Sequence, residues 1–159
     1  PGVVFGKGEN GNFTRLYWAI RGHKFAYPGR KDTIKACIYV KELVRFMLYC
    51  LEHHEHGVEL YNCCFEPAYT IQHIVEAMKK VTGLTQFVPD IPNRVIMPMA
   101  RAAMFLGSPM GICPARVKKL QISTNICGEK LKNCGYQFKW SFEEALADWF
   151  EDNDRLGLK

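Results

Sequence analysis

The segment Pro1-Gly2-Val3-Val4-Phe5-Gly6-Lys7-Gly8 sets a lysine among glycines behind a β-branched run, the residue types of a phosphate cradle. Its spacing does not fit one. A phosphate loop needs four residues between its glycines and a hydroxyl after its lysine, whereas Gly2 and Gly6 have three residues between them and Lys7 is followed by Gly8. The run reads instead as a strand ending in a loop. Tyr27 and Lys31 match Tyr-x-x-x-Lys, a pair that supplies a tyrosinate base and a lysine lowering its pKa when both share one helical face. Pro28-Gly29 lies between them and breaks any helix there, so the match is read as accidental. His53, His54 and His56 form an H-x-H cluster with no further ligands arranged nearby; they read as solvated groups complementing a helix C-terminus, and no metal is expected. His73 reads as a surface or packing residue. No Ser-His-Asp or Cys-His set can be assembled, so no catalytic residue is assigned. Two cations are better candidates. Lys35 directly precedes the apolar run 36–40, and Arg116 lies near the start of a short helix; both could reach an anion in a cleft.

The elements that must hold these residues follow from periodicity. Residues 2–5 read as a buried strand. Asn12 reads as the cap of a helix with Phe13, Leu16, Tyr17 and Ile20 inward, ending at Gly22. Residues 36–40 form a strand that runs into a long helix, where Val40, Leu43, Val44, Met47, Leu48 and Leu51 make a stripe expected to face the core. Residues 58–64 and 85–89 have strand character. Thr70 caps a helix with Ile71, Ile74, Val75 and Met78 inward, closed by Gly83. Pro92 opens a third long helix to about Leu106. Short helices follow at Pro114 and around 128–136. Ser141-Phe142-Glu143-Glu144 is a capping box opening a last helix that buries Phe142, Leu146, Trp149 and Phe150. The tail after it is expected to fray. Helices separating a few short strands indicate an α/β, α+β-like domain over residues 1–159, with too few strands for a complete doubly wound sheet.

Composition bounds the function. A 48% hydrophobic content indicates an ordered domain with its own core. The 21 Lys+Arg against 16 Asp+Glu give +5, read as spread along the chain, which calls for no nucleic-acid partner. The longest apolar stretch, 95–111, is interrupted by Pro98 and Arg101, and no membrane partner is expected. Seven cysteines at 37, 50, 63, 64, 113, 127 and 134 lack zinc-knuckle spacing and read as reduced, mostly buried thiols in a cytoplasmic protein.

Three segments taken together resemble a known family. Residues 1–13 resemble R-P-x-x-V-[YF]-G-P-G, residues 35–52 resemble R-x-[FY]-[IV]-[YH]-V-x-D-[LV], and residues 123–149 resemble D-x-x-K-L-x-x-L-G-[YF]-x-P-x-x-S-[LF]-E-E-[GA]-L. These motifs, in this order, are those of the extended short-chain dehydrogenases/reductases, the NAD-dependent epimerase/dehydratase family. The resemblance implies a C-terminal, helix-rich substrate-binding lobe carrying the last strands of a Rossmann sheet. The family's glycine-rich dinucleotide loop and its helix-borne Tyr-x-x-x-Lys pair lie upstream of these motifs, and a start at proline fits a fragment that lacks them. NAD or NADP is the implied cofactor, with Pro1 and Val3 passing near the nicotinamide mainly through backbone. A nucleoside-diphosphate sugar is the implied substrate. Gly6, Asn12 and Phe13 would line its cleft, and Lys35 and Arg116 would contact its diphosphate or ribose. Lys35 stands where the family has arginine and loses the bidentate fork. Lys7 replaces a proline, and Glu42 and Ser123 replace aspartates.

Two other readings stay open. The parent could be a hydroxysteroid-dehydrogenase-like or flavonoid-reductase-like enzyme with an apolar substrate lined by residues 95–111. Alternatively, the chain could be a non-enzymatic binding module. Apolar surface left where the rest of a sheet should pack would make residues 1–159 self-associate.

Overall fold

The computed structural model describes residues 1–53, 57–105 and 114–159, without the side chains of Ala103 and Arg116. The elements run β1 (Val3–Phe5), α1 (Asn12–Arg21), β2 (Tyr27–Pro28), β3 (Ile34–Lys35), β4 (Cys37–Tyr39), α2 (Val40–His53), β5 (Tyr69–Thr70), α3 (Ile71–Thr82), β6 (Asp90–Ile91), α4 (Asn93–Phe105), α5 (Pro114–Gln121), α6 (Glu129–Asn133) and α7 (Phe142–Asp152). The α/β class expected from the pattern is the one observed.

The strands pair two by two. β1 and β4 are parallel, with Val3, Val4 and Phe5 opposite Cys37, Ile38 and Tyr39. β2 and β6 are parallel, and β3 and β5 antiparallel. The β1–β4 pair separates two cores because alternate side chains leave opposite faces. Phe5, Cys37 and Tyr39 join α1, α3 and α7 in the larger core, while Ile38 joins Phe46, Cys63, Leu131 and Tyr136 in the smaller one. β4 is buried on both faces, as parallel strands are. Phe5 is the hub of the larger core: its ring stacks on Phe13 at 4.8 Å and meets Tyr39, Phe142 and Trp149 at 5.4–6.0 Å.

Local signals set several helix ends. Thr70 Oγ1 accepts from the His73 amide, and Gly83 closes α3 in the left-handed region at φ 71°. Ser141 and Glu144 form the expected capping box. α1 is the exception. Its N-cap is Gly11 with no side-chain cap, and Asn12 is its first helical residue. The capping acceptor is the Glu9 carboxylate, which takes the Thr14 amide at 2.8 Å.

Four expectations are corrected. Only the first turn of the α2 stripe meets the core: Val40 and Leu43 pack partly against it, whereas Val44, Met47, Leu48 and Leu51 are 50–81% exposed and the helix buries Glu42 and Phe46 instead. Among the described residues nothing is laid across those four, so the opposite side of the helix meets the core. Residues 58–64 form no strand; the segment passes both strands with isolated bonds, Gly2 N to Cys63 O and Phe65 N to Cys37 O. The strand signal at 85–89 appears just beyond it, as β6. The tail is not frayed: Leu158 is fully buried, and the Lys159 carbonyl accepts from Gly8 N, Trp149 Nε1 and Asn153 Nδ2.

Candidate functional site

In α/β folds, ligands bind beyond the carboxyl ends of parallel strands. The carboxyl ends of β1 and β4 are Phe5 and Tyr39, and the connection from β1 to α1 leaves from there. Gly6 starts it at φ 145°, where a Cβ would lie 2.4 Å from Val40 Cγ1 and 3.1 Å from the Tyr39 ring. Only glycine lets the chain turn this close to the start of α2. The loop is then pinned to the far end of the chain. Lys7 Nζ donates to the Asp152 carbonyl at 2.7 Å, and Gly8 N donates to the Lys159 carbonyl. Beside it, Lys41 Nζ lies 2.7 Å from carboxylate oxygens of both Asp148 and Asp152, and the Tyr39 hydroxyl donates to Asp148. Burial pushes Asp148 up, but its bonds to Lys41 and Tyr39 outweigh that and hold it below the usual carboxylate range. Lys41 remains charged, held up by both aspartates against its own desolvation. Asn12 stands at the start of α1, exposed, with no hydrogen-bond partner for its amide among the described residues. Phe13 is buried under the loop against Phe5 and can shape a site only as its floor.

Lys35 and Arg116 belong to a second group. Lys35 Nζ donates to the carbonyls of Lys119 and Ile122 at 3.0 and 2.6 Å, so its ammonium sits on the C-terminal end of α5. Desolvation, with a smaller push from Lys119, lowers its pKa. The same region is stitched further by Ser123 Oγ accepting from Ile34 N, by Ala36 N donating to Thr124 O, and by Gln121 Nε2 donating to Pro28 O and Asn93 Oδ1. Arg116 lies in the α5 backbone above this stitching; its side chain lies outside the described residues. The structure therefore brings Lys35 to the helix that carries Arg116. It leaves both at the amino end of β4, about 13 Å of strand away from the Gly6 loop. Pro1 is exposed at the start of β1, and Val3 N donates to Ala36 O.

The remaining motifs resolve as structural features. Tyr27 is buried, and desolvation followed by Glu76 and Asp90 pushes its hydroxyl up to about 12, the reverse of what a tyrosinate base requires. Lys31 points to Asp90 at 3.6 Å and over the Tyr27 ring. His53 stacks on Tyr49, His73 stacks on Tyr69, and His54 and His56 lie outside the described residues. Cys37, Cys63 and Cys64 are buried free thiols pushed up by desolvation, Cys127 is exposed, and Cys113 lies outside the described residues. Two open grooves of about 390 and 520 Å³ flank Tyr49 on the outer side of α2; Leu48, Leu51, His53, Cys50 and Cys134 help to line them, whereas Gly6, Asn12, Phe13 and Lys35 do not. Two anchoring residues escaped sequence reading: Glu9, whose i+5 cap has no simple motif, and Lys41, whose partners lie over a hundred positions away.

No protein-family model matches the chain. A curated relative, the N-acetyl-α-D-glucosaminyl-diphospho-ditrans,octacis-undecaprenol 4-epimerase of Escherichia coli O157:H7, is 25% identical over 152 residues, covering 92% of this chain and 45% of its own length. Among solved structures, a human epimerase family protein crystallised with NADPH matches with a TM-score of 0.67 and 20% identity, over 95% of this chain and 46% of that one. The UDP-N-acetylglucosamine 4-epimerase of Bacillus cereus matches with a TM-score of 0.63 and 15% identity, over 92% and 44%. The chain thus spans about half the length of the proteins it matches, roughly their C-terminal half. In sequence and fold it is similar to the C-terminal lobe of NAD-dependent epimerases of the extended short-chain dehydrogenase/reductase type.

Proposed function

We propose that residues 1–159 are the substrate-binding domain of an NAD- or NADP-dependent epimerase, dehydratase or reductase acting on a nucleoside-diphosphate sugar. The observation that carries this reading is the pinned glycine loop at the carboxyl end of a parallel strand pair, within a fold shared with such epimerases. The dinucleotide, when bound, supplies removal and return of a hydride. The residues present fit only the border of its site. Of the backbone at Pro1–Val3, the Gly2 and Val3 amides are already bonded to the Cys63 and Ala36 carbonyls; residues 1–159 contain no G-x-x-G-x-x-G loop and no helix-borne Tyr-x-x-x-Lys, so polypeptide outside them supplies both.

The work of this domain is orientation. Gly6 lets the loop backbone approach the ligand, Phe13 supports it from below, and the free Asn12 amide bonds a sugar hydroxyl or phosphate oxygen. Lys35 and Arg116 neutralise the diphosphate. Replacing both by alanine in the full-length protein is expected to lower kcat/KM about 100-fold, through two charge-assisted contacts of about 1.5 kcal/mol each. Unchanged kinetics in the double variant would remove this assignment. The diphosphate is common to nucleotide sugars and to the polyprenol-linked sugar named for the curated relative, and turnover of UDP-sugars against polyprenyl-diphosphate sugars separates the two. Full activity on an apolar alcohol, indifferent to both substitutions, would favour a steroid- or flavonoid-type substrate.

The buried, protonated thiols support a reducing, cytoplasmic setting. The α2 stripe of Val44, Met47, Leu48 and Leu51 is the face against which the dinucleotide-binding half packs in this reading. Residues 1–159 alone are expected to self-associate through it, at concentrations where a Leu48→Glu, Leu51→Glu variant sediments as monomer. Monomeric sedimentation of the unaltered segment at high concentration would count against this packing.

A further inference from the structure

The net charge of the chain is concentrated in one place. From Ile91 to Gly128 there is no Asp or Glu, yet Arg94, Arg101, Arg116, Lys118 and Lys119 all fall there, and these five account for the whole +5. The even spread expected from composition is therefore incorrect. Outside this segment cations and acids cancel. Arg94, Arg101, Lys118 and Lys119 are exposed and have no ion-pair partner among the described residues.

The same surface is apolar. α4 buries Ala100 completely and turns Val95, Met99 and Phe105 outward, at 49, 55 and 91% exposure. At 3.6 residues per turn, Arg94, Arg101 and Phe105 fall together on one flank of the outward face, and Val95 and Met99 on the other. α5 packs beside α4, fastened through Gln121 and Asn93, and ends in exposed Lys118 and Lys119 with Ile122 at 64% exposure just beyond. Cations framing outward methionine, valine and phenylalanine on a helix too short to cross a bilayer are the signature of a helix lying in the membrane interface.

Against the expectation of no membrane partner, which considered only a spanning segment, we propose that α4 and the end of α5 form a peripheral docking face for an anionic lipid bilayer, with Phe105, Met99 and Val95 inserted among the acyl chains and the arginines and lysines on the headgroups. A nucleic acid would use the cations and leave the apolar side chains in water. The α2 stripe, by contrast, lies on a helix whose Lys41 and Arg45 are balanced by Glu42 and Glu52, so it carries no cationic excess. The proposal rests on the α4–α5 surface alone and does not depend on the substrate reading. If both hold, the cleft would stand where a lipid-carried diphosphate sugar is met.

The test is co-sedimentation of the full-length protein with vesicles of phosphatidylcholine containing about a third phosphatidylglycerol, beside pure phosphatidylcholine vesicles. Binding is expected only to the anionic vesicles and is expected to weaken with salt. Arg94→Gln with Arg101→Gln should weaken it about 30-fold. Met99→Glu with Phe105→Glu should abolish it, while Val58→Glu with Leu60→Glu, which adds equal charge at exposed sites elsewhere, should leave it unchanged. Circular dichroism checks that each variant is folded. Absence of binding, or equal loss in the Val58/Leu60 variant, overturns the proposal. So does binding to duplex DNA, but not to vesicles, with the same arginine sensitivity. Kinetics on soluble sugar nucleotides are independent of all these outcomes.

Discussion

Glu42→Ala is expected to lower the unfolding free energy by about 3–5 kcal/mol, read as a fall in the urea midpoint at unchanged slope. Glu42 is fully buried near the start of α2. Its carboxylate accepts from the Tyr136 hydroxyl, from Lys139 N at 3.1–3.2 Å and from Trp140 N at 3.1 Å, with Arg45 Nη1 at 3.4 Å. One side chain thus satisfies the backbone of the turn that leads from α6 into the α7 capping box. Truncation orphans three donors at about 1–3 kcal/mol each, partly recovered by relaxation and water. Burial and Glu42 push the Tyr136 hydroxyl well above its ordinary range, so it remains a donor and cannot adapt by ionising. Glu42→Gln keeps the volume but turns an amide N–H toward groups that themselves donate, and should fall about midway. A loss under about 1 kcal/mol for the alanine variant would show that the turn is held by other contacts.

Deletion of Leu158 and Lys159 is the second large effect. Leu158 has no exposed surface, and its removal costs about 2–3 kcal/mol of apolar burial. The Lys159 carbonyl serves Gly8 N, Trp149 Nε1 and Asn153 Nδ2, so its loss also strips the buried Trp149 indole of its acceptor. The expected sum is about 4 kcal/mol, with a local signature that a general loss of packing would not give. The Gly8 amide should exchange with deuterium far faster than the amides of α3, because its acceptor is gone while α3 keeps its own. Unaltered protection at Gly8 would mean that the loop is held by Lys7 and Asp152 alone.

What could be read in advance was what neighbours in sequence decide. Thr70, Gly83, Pro92 and the Ser141–Glu144 box mark helix ends because each acts within four residues of itself. The α2 stripe shows the boundary of such reading. Periodicity establishes that Val44, Met47, Leu48 and Leu51 share a face, but not which side the rest of the domain occupies. The domain occupies the side of Glu42 because a carboxylate there meets three donors from residues 136–140, a fact invisible in the residues around it. Lys35 was recognisable as a cation beside a strand, but its present partners are carbonyls at 119 and 122, placed by tertiary packing. Lys7, Lys41 and the tail were missed for the same reason: each is explained by a partner more than a hundred residues distant.

The bond between Gly8 and Lys159 also orders events in time. Within residues 1–159 the first strand and its loop leave the ribosome ahead of the rest, yet Phe5 waits for Phe142 and Trp149, Lys7 for Asp152, and Gly8 for Lys159. Local helices such as α3 can form as they emerge, but the loop between β1 and α1 settles only after residue 159 is free of the exit tunnel. Closure over that sequence distance makes folding slow for the domain's size, and until it occurs Phe5 and Phe13 are open to chaperones.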